Sequence, residues 1–84
     1  NPETQIPFQL AESSDVSIRI YDALGNGVRN LDLGHQQPGL YLSGQKAARW
    51  DGKNDVGEPV SSGIYFYELR TGSFSHVRRM TVLK

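Results

Sequence analysis

The chain has 84 residues, with nine basic side chains balanced by nine acidic ones, two histidines and no cysteine. That length implies one domain, residues 1–84, with a thin core, because a chain this short buries only about two thirds of the surface its unfolded form exposes. The charge balance offers no field for nucleic acid, the lack of cysteine removes disulfides, thiolate metal sites and a cysteine nucleophile, and no apolar run reaches the roughly 18 residues of a membrane span. The first residue is Asn1 rather than Met, which reads as a piece of something longer.

Ile6, Phe8 and Leu10 alternate with Gln5, Pro7 and Gln9, the period of a strand with one buried face. Pro7 cannot donate to a ladder, so the pattern predicts an edge strand. Val16, Ile18 and Ile20 alternate with Ser17, Arg19 and Tyr21 in the clearest strand pattern of the chain, expected at the centre of a sheet. Leu24-Gly25-Asn26-Gly27 then predicts a hairpin whose two glycines take positive φ, leading into a strand at Val28-Arg29-Asn30-Leu31. The stretch from Gly34 to Gly44 reads as a connection in which Leu40-Tyr41-Leu42 pairs briefly.

Gln45 to Trp50 reads as a strand, and Asp51 to Pro59 as a polar loop. Ile64-Tyr65-Phe66-Tyr67-Glu68-Leu69, opened by Ser62-Gly63, is a second central strand, with both faces expected to be covered near its start. Phe74 to Leu83 returns beside it as a hairpin partner. No long window has helical spacing. About seven short strands separated by turns imply an all-β, two-sheet sandwich, in which each strand needs one apolar face.

The order of these motifs resembles the FlgD-type immunoglobulin-like domain and the related C-terminal sorting domains of exported bacterial proteins. The resemblance is carried by Asn1-Pro2, Thr4, Ile6, Phe8, Leu10, Val16, Ile18, Tyr21-Asp22, Leu24-Gly25, Val28-Arg29 and Leu31. It continues through Trp50-Asp51-Gly52, Asn54, Gly57, Val60, Ser62-Gly63-Ile64-Tyr65-Phe66-Tyr67, Arg79-Met80 and Val82-Leu83-Lys84. It implies an immunoglobulin-like antiparallel sandwich with no catalytic residues and no cofactor, exported to the cell surface or beyond. Its partners would be secretion or cell-surface machinery and the other domains of its parent polypeptide. The family's Asn-Pro-Phe-Asn-Pro opening is reduced here to Asn1-Pro2-Glu3-Thr4, and the stretch from Gly34 to Gly44 is longer and more polar than the family's usual link.

Few side chains suggest chemistry. Asp51, Asn54 and Asp55 stand in a glycine loop of the kind that cradles calcium, with Glu58 as an outside addition. Lys53 replaces an oxygen ligand, and Ser62 stands where a closing acid would be, so these three are weak metal candidates and the loop reads first as a structural turn. Trp50, Tyr65, Tyr67 and Gly63 read as structural: an indole anchor with its N–H tied to a carbonyl, strand aromatics packed inward, and the glycine that opens their strand. His35 and His76 lie in unlike contexts, without the further ligands a metal site needs, and no Gly-x-Ser-x-Gly elbow supports a hydrolase. Arg70, Arg78, Arg79 and Lys84 form the candidate partner-binding set, a basic stretch of the terminal hairpin.

Three functions compete. The first, implied by the resemblance, is a sorting and attachment domain for type IX secretion, with the terminal Met80-Thr81-Val82-Leu83-Lys84 in its support. The second is a structural or adhesive module of a surface or flagellar assembly, with exposed sheet edges open to neighbours or to self-association. The third is a ligand-binding appendage of a secreted enzyme, which requires an exposed row of aromatics that this pattern does not supply.

Overall fold

A computed structural model describes residues 3–42, 46–72 and 74–83. Among these the chain forms eight strands: β1 (Thr4–Ile6), β2 (Phe8–Leu10), β3 (Ser14–Asp22), β4 (Gly27–Gln36), β5 (Gly39–Tyr41), β6 (Ala48–Trp50), β7 (Gly63–Thr71) and β8 (Phe74–Val82). One layer is a four-stranded antiparallel sheet in the order β4-β3-β7-β8. The other consists of two antiparallel ribbons, β1 with β6 and β2 with β5.

The core lies between the layers. Val16, Ile18 and Ile20 of β3 and Tyr65, Tyr67 and Leu69 of β7 meet Ile6, Phe8, Leu10, Ala48 and Trp50 of the ribbons. This is the period-2 arrangement read from the sequence: both central strands send alternate side chains into the gap. Burying each large aliphatic side chain contributes about 1.5–3 kcal/mol, and Ile6, Ile18 and Ile20 are all buried completely. Phe8 stacks on its cross-strand partner Tyr41 at 4.5 Å, which fixes the second ribbon's register.

The structure departs from the sequence expectations at several points, each with a local cause. Residues 5–10 are two strands instead of one: at Pro7 the chain leaves β6 and takes up β5, so the expected seven strands become eight. A proline without an N–H costs a ladder nothing where the strand changes partner. In the β3–β4 hairpin only Gly25 has positive φ, 89°, and Gly27 does not. The stretch after Gly34 is not all connection, because β4 runs on to Gln36. Its register against β3 slips at two places, leaving Val28 and Leu33 as extra residues, and the second bulge, followed by Gly34-His35-Gln36, ends the alternation by which the strand is recognised. The strand before the 51–59 loop begins only at Ala48, and Gln45 falls outside the described residues. Finally, only one face of β7 is covered at its start, since Ile64 is 45% exposed.

Candidate functional site

The four-stranded sheet has two edges, β4 and β8, and the chain treats them differently. An edge strand presents unpaired N–H and C=O groups that invite another strand. At β4 the loop after Trp50 closes part of that edge. The Asp55 N–H donates to the Val28 carbonyl (3.0 Å), and the Asn30 N–H donates to Asp55 Oδ1 (3.1 Å), so one loop residue stands in for a paired strand residue.

Local hydrogen bonds hold this loop in shape. Asp51 Oδ1 accepts the Lys53 N–H (3.0 Å), and Asn54 Oδ1 accepts those of Val56 (3.1 Å) and Glu58 (2.9 Å). The Asn54 side-chain amide donates to Glu58 Oε1 (3.3 Å). The Trp50 indole N–H donates to the Lys53 carbonyl (2.9 Å), and the half-buried Arg29 of β4 reaches the same oxygen (3.1 Å) as well as Asp51 Oδ1 (3.0 Å). Arg29 Nε also lies 3.9 Å from Asp55 Oδ1, so a guanidinium occupies the space between the two carboxylates. Asp51, Asn54 and Asp55, the weak calcium candidates, are thus aimed at backbone N–H groups and at Arg29, and Glu58 at Asn54. Among the described residues no three acidic, histidine or cysteine side chains converge as a metal site.

Partial desolvation pushes the Asp51 carboxyl up, but the Lys53 N–H and the charge and hydrogen bond of Arg29 together outweigh it and hold the group below its ordinary value. Asp22, in the β3–β4 hairpin, is also held low. The Asn26 N–H is the main cause, some desolvation works against it, and the Asn26 side chain and the Leu24 N–H add to the lowering.

Tyr65 meets Trp50 edge-on, with ring centroids 5.7 Å apart, and its hydroxyl donates to the Ser61 carbonyl (2.7 Å). Tyr67 is buried beside it, and Gly63 opens β7 opposite Val82. His35 sits on β4 with Nδ1 3.1 Å from Asp15 Oδ1, in an exposed pair. His76 lies on β8, stacked against Phe74, so the two histidines occupy opposite edges of the sheet.

The basic set of the terminal hairpin is split by the pleat. Arg78 lies across from the inward-facing Tyr67, whereas Arg79 lies across from Phe66 on the outer face. Arg70 is also on the outer face, four residues along β7 from Phe66, with Nε 3.6 Å from Glu68 Oε1. Arg78 and Arg79 form no ion pair among the described residues, and Lys84 lies outside them. Sequence reasoning missed the role of Arg29, because its partners Asp51 and Lys53 stand 22 and 24 residues away and no local spacing announces them.

Comparison with known proteins places this architecture. Residues 2–73 match the family of the FlgD Ig-like domain. Among solved structures, FLGD from P. aeruginosa superposes with a TM-score of 0.74 at 26% sequence identity. That likeness covers 95% of this chain but 59% of the other, so the chain spans under two thirds of that protein's length. No curated protein matches the chain. The family match takes in the hairpin of β3 and β4, the loop that closes the β4 edge, and the strand that carries Tyr65 and Tyr67, and on it the chain belongs to the FlgD Ig-like domain family.

Proposed function

We propose that this domain is a non-catalytic structural module of a bacterial surface or flagellar assembly, holding a neighbouring subunit through its open sheet edge. The observation that carries this reading is membership of the FlgD Ig-like family, joined to a sheet whose β8 edge no described residue covers. A ligand-binding appendage would present a row of exposed aromatics, and here Phe8, Trp50, Tyr65 and Tyr67 are all buried. A second reading, a secretion sorting and attachment domain that brings its parent to the cell surface, draws on one feature. The exposed basic strand β8, with Arg78 and Arg79, lies beyond the residues that match the family.

One experiment separates the two. The segment encoding residues 1–84 is deleted from the gene of the protein that carries it, and export and assembly are followed separately by fractionation and electron microscopy. Normal export with defective assembly supports the structural module. Retention of the parent inside the cell, with equal expression, overturns it in favour of sorting.

A further inference from the structure

β8 is exposed from Phe74 through Arg79 and buries only its last residue, Val82. Its inner-face residues Phe74, His76 and Arg78 point toward the core side, across from Thr71, Leu69 and Tyr67, yet all three are exposed. The second layer stops short of them. Between β8 and β2 lies an open groove of about 550 Å³, floored by Phe8, Tyr67 and Leu69 and rimmed by Leu42, Phe74 and His76, with Arg78 at its side. No acidic side chain lines it. Alternate N–H and C=O groups of β8 point away from β7, and no described backbone group reaches them. An exposed apolar cleft beside an unpaired strand edge is the arrangement used for strand addition, in which main-chain bonds supply affinity and side-chain pockets supply selectivity.

Charge selects the occupant. The strand carries Arg78 on the groove side and Arg79 on the outer side, while the nearest carboxylate on the neighbouring strand, Glu68, is engaged by Arg70. Self-pairing is opposed by the same charges. Two copies of β8 laid antiparallel over their full length, Phe74–Val82, meet at their middle residue and set Arg78 opposite Arg78. Like charges directly opposite one another destabilise a ladder.

We propose that the β8 edge is a docking site for an extended acidic segment of another protein, which adds a strand beside β8, sets carboxylates against Arg78 and Arg79, and lays apolar side chains into the groove over Phe8 and Leu69. This names the partner class for the structural reading above and rests on it.

The test uses the isotopically labelled domain and two synthetic peptides of about ten residues, matched to the nine of β8, both alternating valine with threonine around a central adjacent pair, which is two glutamates in one and two lysines in the other, so that one charge of the pair falls on each face. The glutamate peptide is expected to shift the amide resonances of β8 and slow their hydrogen exchange, and to bind about tenfold tighter than the lysine peptide. The R78E/R79E double variant is expected to reverse that preference, and F74S to weaken both peptides without reversing it. The proposal is overturned by unchanged β8 resonances at millimolar peptide, by equal binding of the two peptides, or by β8 protection that grows with protein concentration alone, which would make a second copy the occupant. Shifts confined to the exposed tips at Leu24 and Val56 would overturn the β8 site while leaving the structural module standing. The wild-type comparison alone decides the matter should the double variant fail to fold.

Discussion

Arg29 and Trp50 donate to the same oxygen, the Lys53 carbonyl, at 3.1 and 2.9 Å. One donor comes from an edge strand of the four-stranded sheet and the other from the facing ribbon, so a single loop carbonyl ties the two layers together where the loop closes the β4 edge.

The Trp50→Ala variant should lose about 3–5 kcal/mol, since the ring is fully buried and packs edge-on against Tyr65. A domain of this size has only about 5–10 kcal/mol in total, so the variant should be largely unfolded at moderate urea. Trp50→Phe keeps most of the packing and leaves the Lys53 carbonyl with Arg29 as donor, and its loss should be well under half as large. Urea midpoints followed by circular dichroism give both values.

Tyr65→Phe removes only the hydroxyl that donates to the Ser61 carbonyl. The ring and its contact with Trp50 remain, so the expected cost is about 1 kcal/mol, the usual net value of one hydrogen bond. A thermal midpoint equal to that of the wild type would mean that water replaces the bond without loss.

Gly25 and Gly27 flank Asn26 in the hairpin, but only Gly25 has positive φ. An added Cβ at Gly25 meets nothing within 4 Å, so any cost of Gly25→Ala comes from backbone conformation alone, about 1 kcal/mol. Gly27→Ala should be close to neutral, since its Cβ would approach only the flexible end of Arg19. Equal losses at the two positions in denaturant melts would contradict this assignment.

Asp22 and Asp51 are both held below the value of an unfolded aspartate, about 3.9. Above that pH both are ionised in the folded and unfolded chain, and the stabilisation is fully present. As the pH falls through that value the unfolded chain takes up protons first, so stability declines, and the contribution is gone once the folded carboxyls are protonated too. Thermal midpoints between about pH 2 and 6 should therefore drop on the acid side, and Asp22→Asn with Asp51→Asn should flatten that drop.

How much the sequence reveals varies along the chain for physical reasons. Val16, Ile18 and Ile20, like Tyr65, Tyr67 and Leu69, advertise their strands because a central strand with one face in the core obeys strict alternation. The second half of β4 is hidden because the bulge at Leu33 and the polar run Gly34-His35-Gln36 after it break that rule. Pro7 is visible as an interruption, but only the fold shows that the strand changes partner there. Asp51 and Asp55 are conspicuous as carboxylates, while the feature that decides their role, Arg29, is distant in sequence and is brought to them only by folding. The open edge at β8 follows from the absence of a ribbon beneath Phe74, His76 and Arg78, a fact of layer dimensions that no single segment encodes.

The exchange of partners at Pro7 has a kinetic consequence. The β3–β4 and β7–β8 hairpins join neighbours in sequence, whereas β1 reaches β6 through pairs such as Thr4 with Trp50. Closing so long a loop costs more entropy than closing a hairpin, and contacts of that span slow folding. Residues 4–10 are therefore expected to act as a clasp: they should arrive after the hairpins, gripping β6 on one side of the proline and β5 on the other, so that one short segment joins two otherwise separate ribbons over the core.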